Sequence, residues 1–148
     1  MNEDWLSVVG KRLPRVDGLS KVTGEAIYDS DFQMKGMLHG GVLRSPYPHA
    51  RILHMDTRRA EKLAGVKAVI TARDTPRVPY GVLVYDEQIL ATDKVRYIGD
   101  EVAAVAAIDE DTVEEALDLI RVDYEILPAV FDPEKALEPG APVIHLES

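Results

Sequence analysis

The side chains that could do chemistry are few and scattered. The chain has four histidines, His39, His49, His54 and His145, and no cysteine. Histidines that share a metal on a helix stand four apart on one face, and no pair here has that spacing or an acidic pattern beside it. His49 and His54 are five apart across a predicted strand, which points them to opposite faces. Without cysteine there is no thiolate nucleophile, disulfide, iron–sulfur ligand or Cys-type zinc site. Ser45, between Arg44 and Pro46 and close to His49, lacks the glycine-lined elbow of a nucleophilic serine and reads as a turn residue. The carboxylates Asp100 and Glu101, and Asp109, Glu110 and Asp111, could serve acid–base work or a hard cation. They stand at turn and helix-cap positions, where capping and solvation account for them.

Other motifs also fall short. Neither G-x-G-x-x-G nor G-x-x-x-x-G-K-[ST] occurs, so the Gly18 to Gly24 segment with Lys21 is no phosphate cradle. Lys35, in Met34-Lys35-Gly36-Met37, is superficially similar to the lysine of a biotin-carrying Met-Lys-Met hairpin, but the inserted Gly36 moves it out of place. No residue is assigned a catalytic, cofactor-binding or metal-ligating role.

The elements that would position these residues follow from periodicity and breakers. Residues 1–36 contain Gly10, Pro14, Gly18, Gly24 and Gly36 with little sustained period, and read as an N-terminal arm of turns. The arm carries Leu13, Val16, Val22, Ile27, Tyr28 and Phe32 with no element of its own to bury them, so residues 1 to about 18 are expected to be mobile or docked on another surface. Residues 37–131 read as the core. Strands are predicted over 37–43 and 50–55, separated by Ser45-Pro46-Tyr47-Pro48, whose prolines force extended backbone. A short helix runs from Asp56 or Thr57 through Leu63 and stops at Gly65, followed by a strand over 66–71. Residues 72–87, with Pro76 and Pro79, read as a loop with an edge strand at 82–85.

The run Glu101 to Ile108, rich in alanine and valine, predicts a strand covered on both faces. A helix capped by Asp109 follows, with Val113, Ala116, Leu117 and Ile120 on one face and Glu114, Glu115 and Asp118 on the other. Val122, Tyr124 and Ile126 alternate with Asp123 and Glu125 as a last strand that ends before Pro128. Residues 132–148 hold a helical turn at 133–137 and then Pro139-Gly140-Ala141-Pro142, the composition of an exit linker. The order predicts an α+β domain, two main helices packed on a mixed sheet.

Composition agrees with a single folded domain. The chain is 46% hydrophobic and carries a net charge of -9, against the clustered basic residues that nucleic acid requires. Its two parts differ in sign: residues 1–80 hold 13 Lys+Arg and 9 Asp+Glu, residues 81–148 hold 4 and 17. A solvated acidic helix plus turns is the plain reading, since much of the excess sits in one helical stretch, and a surface polarised to orient a partner is the alternative. No apolar run reaches the ~20 residues of a membrane span, and Glu3 and Asp4 stand where a secretory leader needs basic residues, so a cytoplasmic, unexported chain is expected.

Several segments taken together resemble one family. They are Gly-Lys-Arg-Leu-Pro-Arg-Val-Asp-Gly (10–18), Lys-Val-Thr-Gly-Glu-Ala-Ile-Tyr (21–28), Leu-Arg-Ser-Pro-Tyr-Pro-His-Ala (43–50) and Gly-Val-Lys-Ala-Val-Ile-Thr-Ala-Arg-Asp (65–74). To these are added Lys-Val-Arg-Tyr-Ile-Gly-Asp-Glu-Val-Ala-Ala-Val-Ala-Ala (94–107), Val-Asp-Tyr-Glu-Ile-Leu-Pro-Ala-Val (122–130) and Pro-Gly-Ala-Pro-Val-Ile-His (139–145). The set is similar to the N-terminal α/β-hammerhead domain of the molybdenum-binding large subunit of the xanthine dehydrogenase and aldehyde oxidase family, which includes 4-hydroxybenzoyl-CoA reductase and carbon monoxide dehydrogenase.

The resemblance implies a hammerhead fold and a structural role within a molybdenum-dependent oxidoreductase. It implies a molybdopterin-type cofactor and a glutamate base on later domains of the large subunit, with iron–sulfur clusters and often FAD on partner subunits or domains. The chain is then expected to be a fragment without activity of its own, its partners being the remaining large-subunit domains and the iron–sulfur and flavin subunits, with no nucleic acid and no membrane. The alternative is a stand-alone protein-interaction module of the same fold. The substrate is not legible in these residues.

Overall fold

The computed structural model describes residues 8–82 and 85–145. The chain divides into two compact units, residues 1–35 and 36–148.

In the first unit, α1 (Gly18–Thr23) is a short helix closed by Gly24 in the left-handed conformation, and a 3-10 turn follows at Asp29–Asp31. A reading of turns alone misses α1, which is too short for periodicity to reveal. It is held locally: the Asp17 carboxylate takes the guanidinium of Arg15 at 3.1 Å and the ammonium of Lys21 at 2.5 Å. Those two donors, Lys21 first, hold the Asp17 carboxyl below its ordinary value. Val16, Leu19, Val22 and Ile27 are exposed.

The second unit contains six strands and three helices among its described residues. They are β1 (His39–Arg44), β2 (Ala50–Asp56), α2 (Arg58–Glu61), β3 (Val66–Thr71), β4 (Lys94–Val95), β5 (Glu101–Ala107), α3 (Glu110–Leu119), β6 (Arg121–Ile126) and α4 (Pro133–Ala136). Most boundaries fall within two residues of the sequence expectation. The predicted edge strand at 82–85 includes residues 83 and 84, which lie outside the described residues; a single bridge between Tyr80 and Glu87 stands on either side of it. β4, only two residues long, has no counterpart in the sequence expectation.

The expected α+β class holds, but the strands do not form one mixed sheet. Odd-numbered strands make one three-stranded sheet in the order β1-β5-β3, and even-numbered strands make another in the order β4-β2-β6. Every pairing is antiparallel. The alternation in each strand shows which face is buried, not which neighbour it pairs with, and that is why the division is invisible in the sequence.

α3 lies on β1, β5 and β3, with α2 beside it. Asp109 caps it, its Oδ1 accepting from the Thr112 N–H at 2.8 Å. Val113, Ala116 and Ile120 are buried, as their spacing requires. Ala116 and Ile120 meet Ala60, Ala103 and Val105 in one core, packed about by Leu43, Val69 and Leu117; burying a side chain such as Val113 or Ile120 is worth about 1.5–3 kcal/mol. The helix comes so close to β1 that a Cβ built on Gly41 would stand 2.4 Å from Val113 Cγ1 and 3.1 Å from Leu117 Cδ1. A second core joins the two sheets, with Val102 of β5 meeting Ala50, Ala91 and Val95.

The expectation that β5 is covered on both faces needs correction. Ala103, Val105 and Ala107 point to the helix side and are almost wholly buried. On the opposite face only Val102 is buried; Ala104 and Ala106 are partly exposed. They are flanked by Val42 and Ile70 across from Ala104, and by Gly40 and Ala68 across from Ala106. Val42 is 39% and Ile70 41% exposed. The described residues therefore present a partly exposed apolar patch in which Val42 and Ile70 flank small side chains.

Candidate functional site

A network of polar side chains surrounds the turn that joins β4 to β5. β4 and β5 belong to different sheets, so this turn must reverse the chain while crossing between them. Gly99 supplies the reversal with φ +96°, a conformation that L side chains rarely adopt. The carboxylate of Asp100 accepts from the backbone N–H of Arg96 at 2.8 Å and closes the turn. Ser45 locks it to the end of β1: Ser45 N donates to Asp100 O at 2.9 Å, and Gly99 N donates to Ser45 O at 2.8 Å.

Side chains complete the tie. Arg44 Nη1 donates to Gly99 O at 2.8 Å and to Glu101 Oε1 at 2.5 Å, while the Tyr97 hydroxyl donates to Glu101 Oε2 at 3.0 Å. Both oxygens of Glu101 are thus engaged. Partial burial acts to raise its carboxyl, but the hydrogen bonds from Arg44 and Tyr97 together hold it below the ordinary value. Tyr97 is pushed up to about 12, first by burial and then by its bond to Glu101. Burial is also the main reason the Asp100 carboxyl stands above its usual range. The phenol stays a neutral donor and the glutamate an ionised acceptor, an arrangement that fixes a turn and leaves neither group free to shuttle a proton.

The residues singled out from sequence are similarly occupied. Ser45 is buried, and its Oγ is bonded within the turn to both N and O of Tyr47 at 3.0 Å. His49 is buried beside it, with Nδ1 2.6 Å from Pro128 O. A carbonyl only accepts, so Nδ1 carries the proton, and Nε2 faces the interior with no hydrogen-bond partner. Tyr47 packs edge-on against Tyr124 with ring centroids 5.2 Å apart. His39 lies 3.5 Å from Glu110.

His54 lines a separate cleft of about 350 Å³ between β2 and β3. Its acidic neighbours there are engaged elsewhere: Glu61 accepts from the Thr57 hydroxyl at 2.5 Å, and Asp74 from the N–H of Thr71 at 2.9 Å. A cleft of about 400 Å³ beside the β4–β5 turn is lined by Tyr80, Gln88, Arg96, Tyr97 and His145 among others.

Among the described residues no three His, Asp or Glu side chains are grouped to hold a metal ion. This donor set does not fit a molybdenum centre.

The Arg44–Glu101–Tyr97 tie is absent from the sequence reading because its members lie on separate strands and a turn, and the pairing of β1 with β5 brings them together. The signal available was the quoted segment 94–107, which contains both Tyr97 and Glu101.

Two antiparallel sheets joined through β5, with α3 on one face of the first sheet and polar side chains bonded to one another around the β4–β5 turn, make up the described core. The chain belongs to the family described as aldehyde oxidase and xanthine dehydrogenase, a/b hammerhead domain, which it matches over residues 23–128.

It is 49% identical over 132 residues to a probable xanthine dehydrogenase subunit of Bacillus subtilis (strain 168), covering 88% of this chain and 18% of that protein. It is 43% identical over 146 residues to the nicotinate dehydrogenase large molybdopterin subunit of Eubacterium barkeri, covering 98% and 34%. Among solved structures, the reconstituted CO dehydrogenase from Oligotropha carboxidovorans is similar with a TM-score of 0.83 at 40% identity, covering 90% of this chain and 17% of that one. The chain thus spans between about a sixth and a third of these proteins.

Proposed function

We propose that the chain is the structural hammerhead domain of the large subunit of a molybdenum-dependent oxidoreductase, and that it packs against the domains that hold the cofactor. One observation carries the reading: in a chain matched along nearly its whole length by part of a large molybdopterin subunit, the patch of Gly40, Val42, Ala68, Ile70, Ala104 and Ala106 is apolar and partly exposed. An exposed apolar sheet face suits contact with another packed layer. The molybdopterin group then resides on other domains, iron–sulfur and flavin carriers are separate domains or subunits, the assembly is cytoplasmic, and the isolated chain has no turnover.

Elemental analysis of the purified chain, with assays for hydroxylation and for substrate reduction, tests this. The expected result is no stoichiometric molybdenum and no activity. Molybdenum bound one to one, or turnover abolished by Glu101→Gln, overturns it.

A further inference from the structure

The segment 143–145 is fastened to the core at two points that the packing of the sheets does not explain. Lys94, on the two-residue strand β4, is only 8% exposed. Its ammonium donates to Ile144 O at 2.5 Å. An ammonium taken out of water without a partner is strongly unfavourable, so this carbonyl is difficult to give up. One residue further on, His145 Nδ1 pairs with the carboxylate of Asp86, whose side chain is 13% exposed against 49% for the imidazole. Asp86 and His145 both line the cleft beside the β4–β5 turn.

We propose that residues 143–145 form a strap along this cleft with one fixed anchor, Lys94, and one pH-dependent anchor, the His145–Asp86 pair. The proposal is independent of the function proposed above.

The charges around the imidazole set the direction. Asp86, Glu87, Asp100 and Glu101 line the cleft on the acidic side, and Arg96 on the basic side, with the Lys94 ammonium bonded to the carbonyl of the preceding residue. Carboxylates dominate, so an imidazolium is held and a neutral imidazole is held less well. The charged imidazole is the more strongly held form, so the strap is tighter in acid than in base. In the tight state His145 forms part of the cleft wall, and its release widens the opening.

The test is 15N relaxation of the full chain at about pH 5.5 and about pH 8.5. Wild type is expected to show order parameters at Ile144 and His145 above ~0.6 at the lower pH and below that at the higher one. His145→Gln, at an exposed position that does not enter the core, should lose the pH dependence and stay below ~0.6 at both values. Lys94→Met should lower the order parameter of Ile144 at both. Values at 144–145 that do not change with pH in wild type, or that His145→Gln leaves as in wild type, overturn the strap.

Discussion

The two faces of the β1-β5-β3 sheet have nearly the same composition and opposite surroundings. Towards α3 stand Gly41, Ala103, Val105 and Ala107; away from it stand Gly40, Val42, Ala104 and Ala106. On the first face the small residues are a necessity, because the helix leaves no room for a Cβ at Gly41. On the second nothing from the sheet's own helices presses on them. Small residues therefore stand in two different settings in one strand pair, under a closely packed helix on one side and on a partly exposed face on the other, and the type of residue alone does not distinguish them.

Substitution does distinguish them. Gly41→Val should cost about 3 kcal/mol, since the added carbons run into Val113, a buried branched side chain that cannot swing away. Gly40→Val, whose nearest neighbour would be Val105 O at 3.9 Å, should be neutral or gain up to about 1 kcal/mol from better strand propensity. Urea midpoints of the two variants measure the contrast directly; equal losses would show that the second face is also closed.

A smaller effect is expected one strand away. Ala103, with no exposure, should lose about 1–3 kcal/mol on replacement by leucine, whereas Ala104→Leu should stay within about 0.5 kcal/mol of the parent. Thermal denaturation of the pair checks this, and the sequence reading, which places Ala104 between two covered faces, expects overpacking there instead.

The smallest effect sharpens the helix side. Asp109→Ala removes the cap of α3 and should lower the urea midpoint modestly at neutral pH. The hydrogen bonds from Thr112 hold the Asp109 carboxyl below its ordinary value. Its contribution is therefore complete above the carboxylate value of the unfolded chain and is lost as pH falls through the lower folded value. The midpoints of parent and variant should converge in acid; a difference that persists there would mean that the cap acts without its charge.

What could be read from sequence was whatever one segment decides alone. α3 declared itself through Asp109 and the spacing of Val113, Ala116, Leu117 and Ile120, and β3 and β6 through β-branched runs between breakers. Contacts between distant segments were silent: the split into two sheets, the two residues of β4, and the tie of Arg44 to Glu101 and Tyr97. Gly40 and Gly41 show the limit best, because adjacent and identical letters face opposite constraints. At the candidate site the bonds of Ser45 within its turn to Tyr47 lie in one segment, whereas the burial of His49 and its bond to Pro128 could not be foreseen from spacing.

The odd and even strands belong to different sheets, so the chain visits each sheet alternately as it is made. The first sheet lacks its central strand until residue 107, when His39 finally meets Ala107; the second lacks a full partner for β2 until residue 126, opposite Ala50. Neither sheet can be finished early and set aside. Antiparallel contacts across such separations carry a high loop-closure cost before they return any stability, so a ribosome must deliver the chain through residue 107 for the first layer and residue 126 for the second before each can hold.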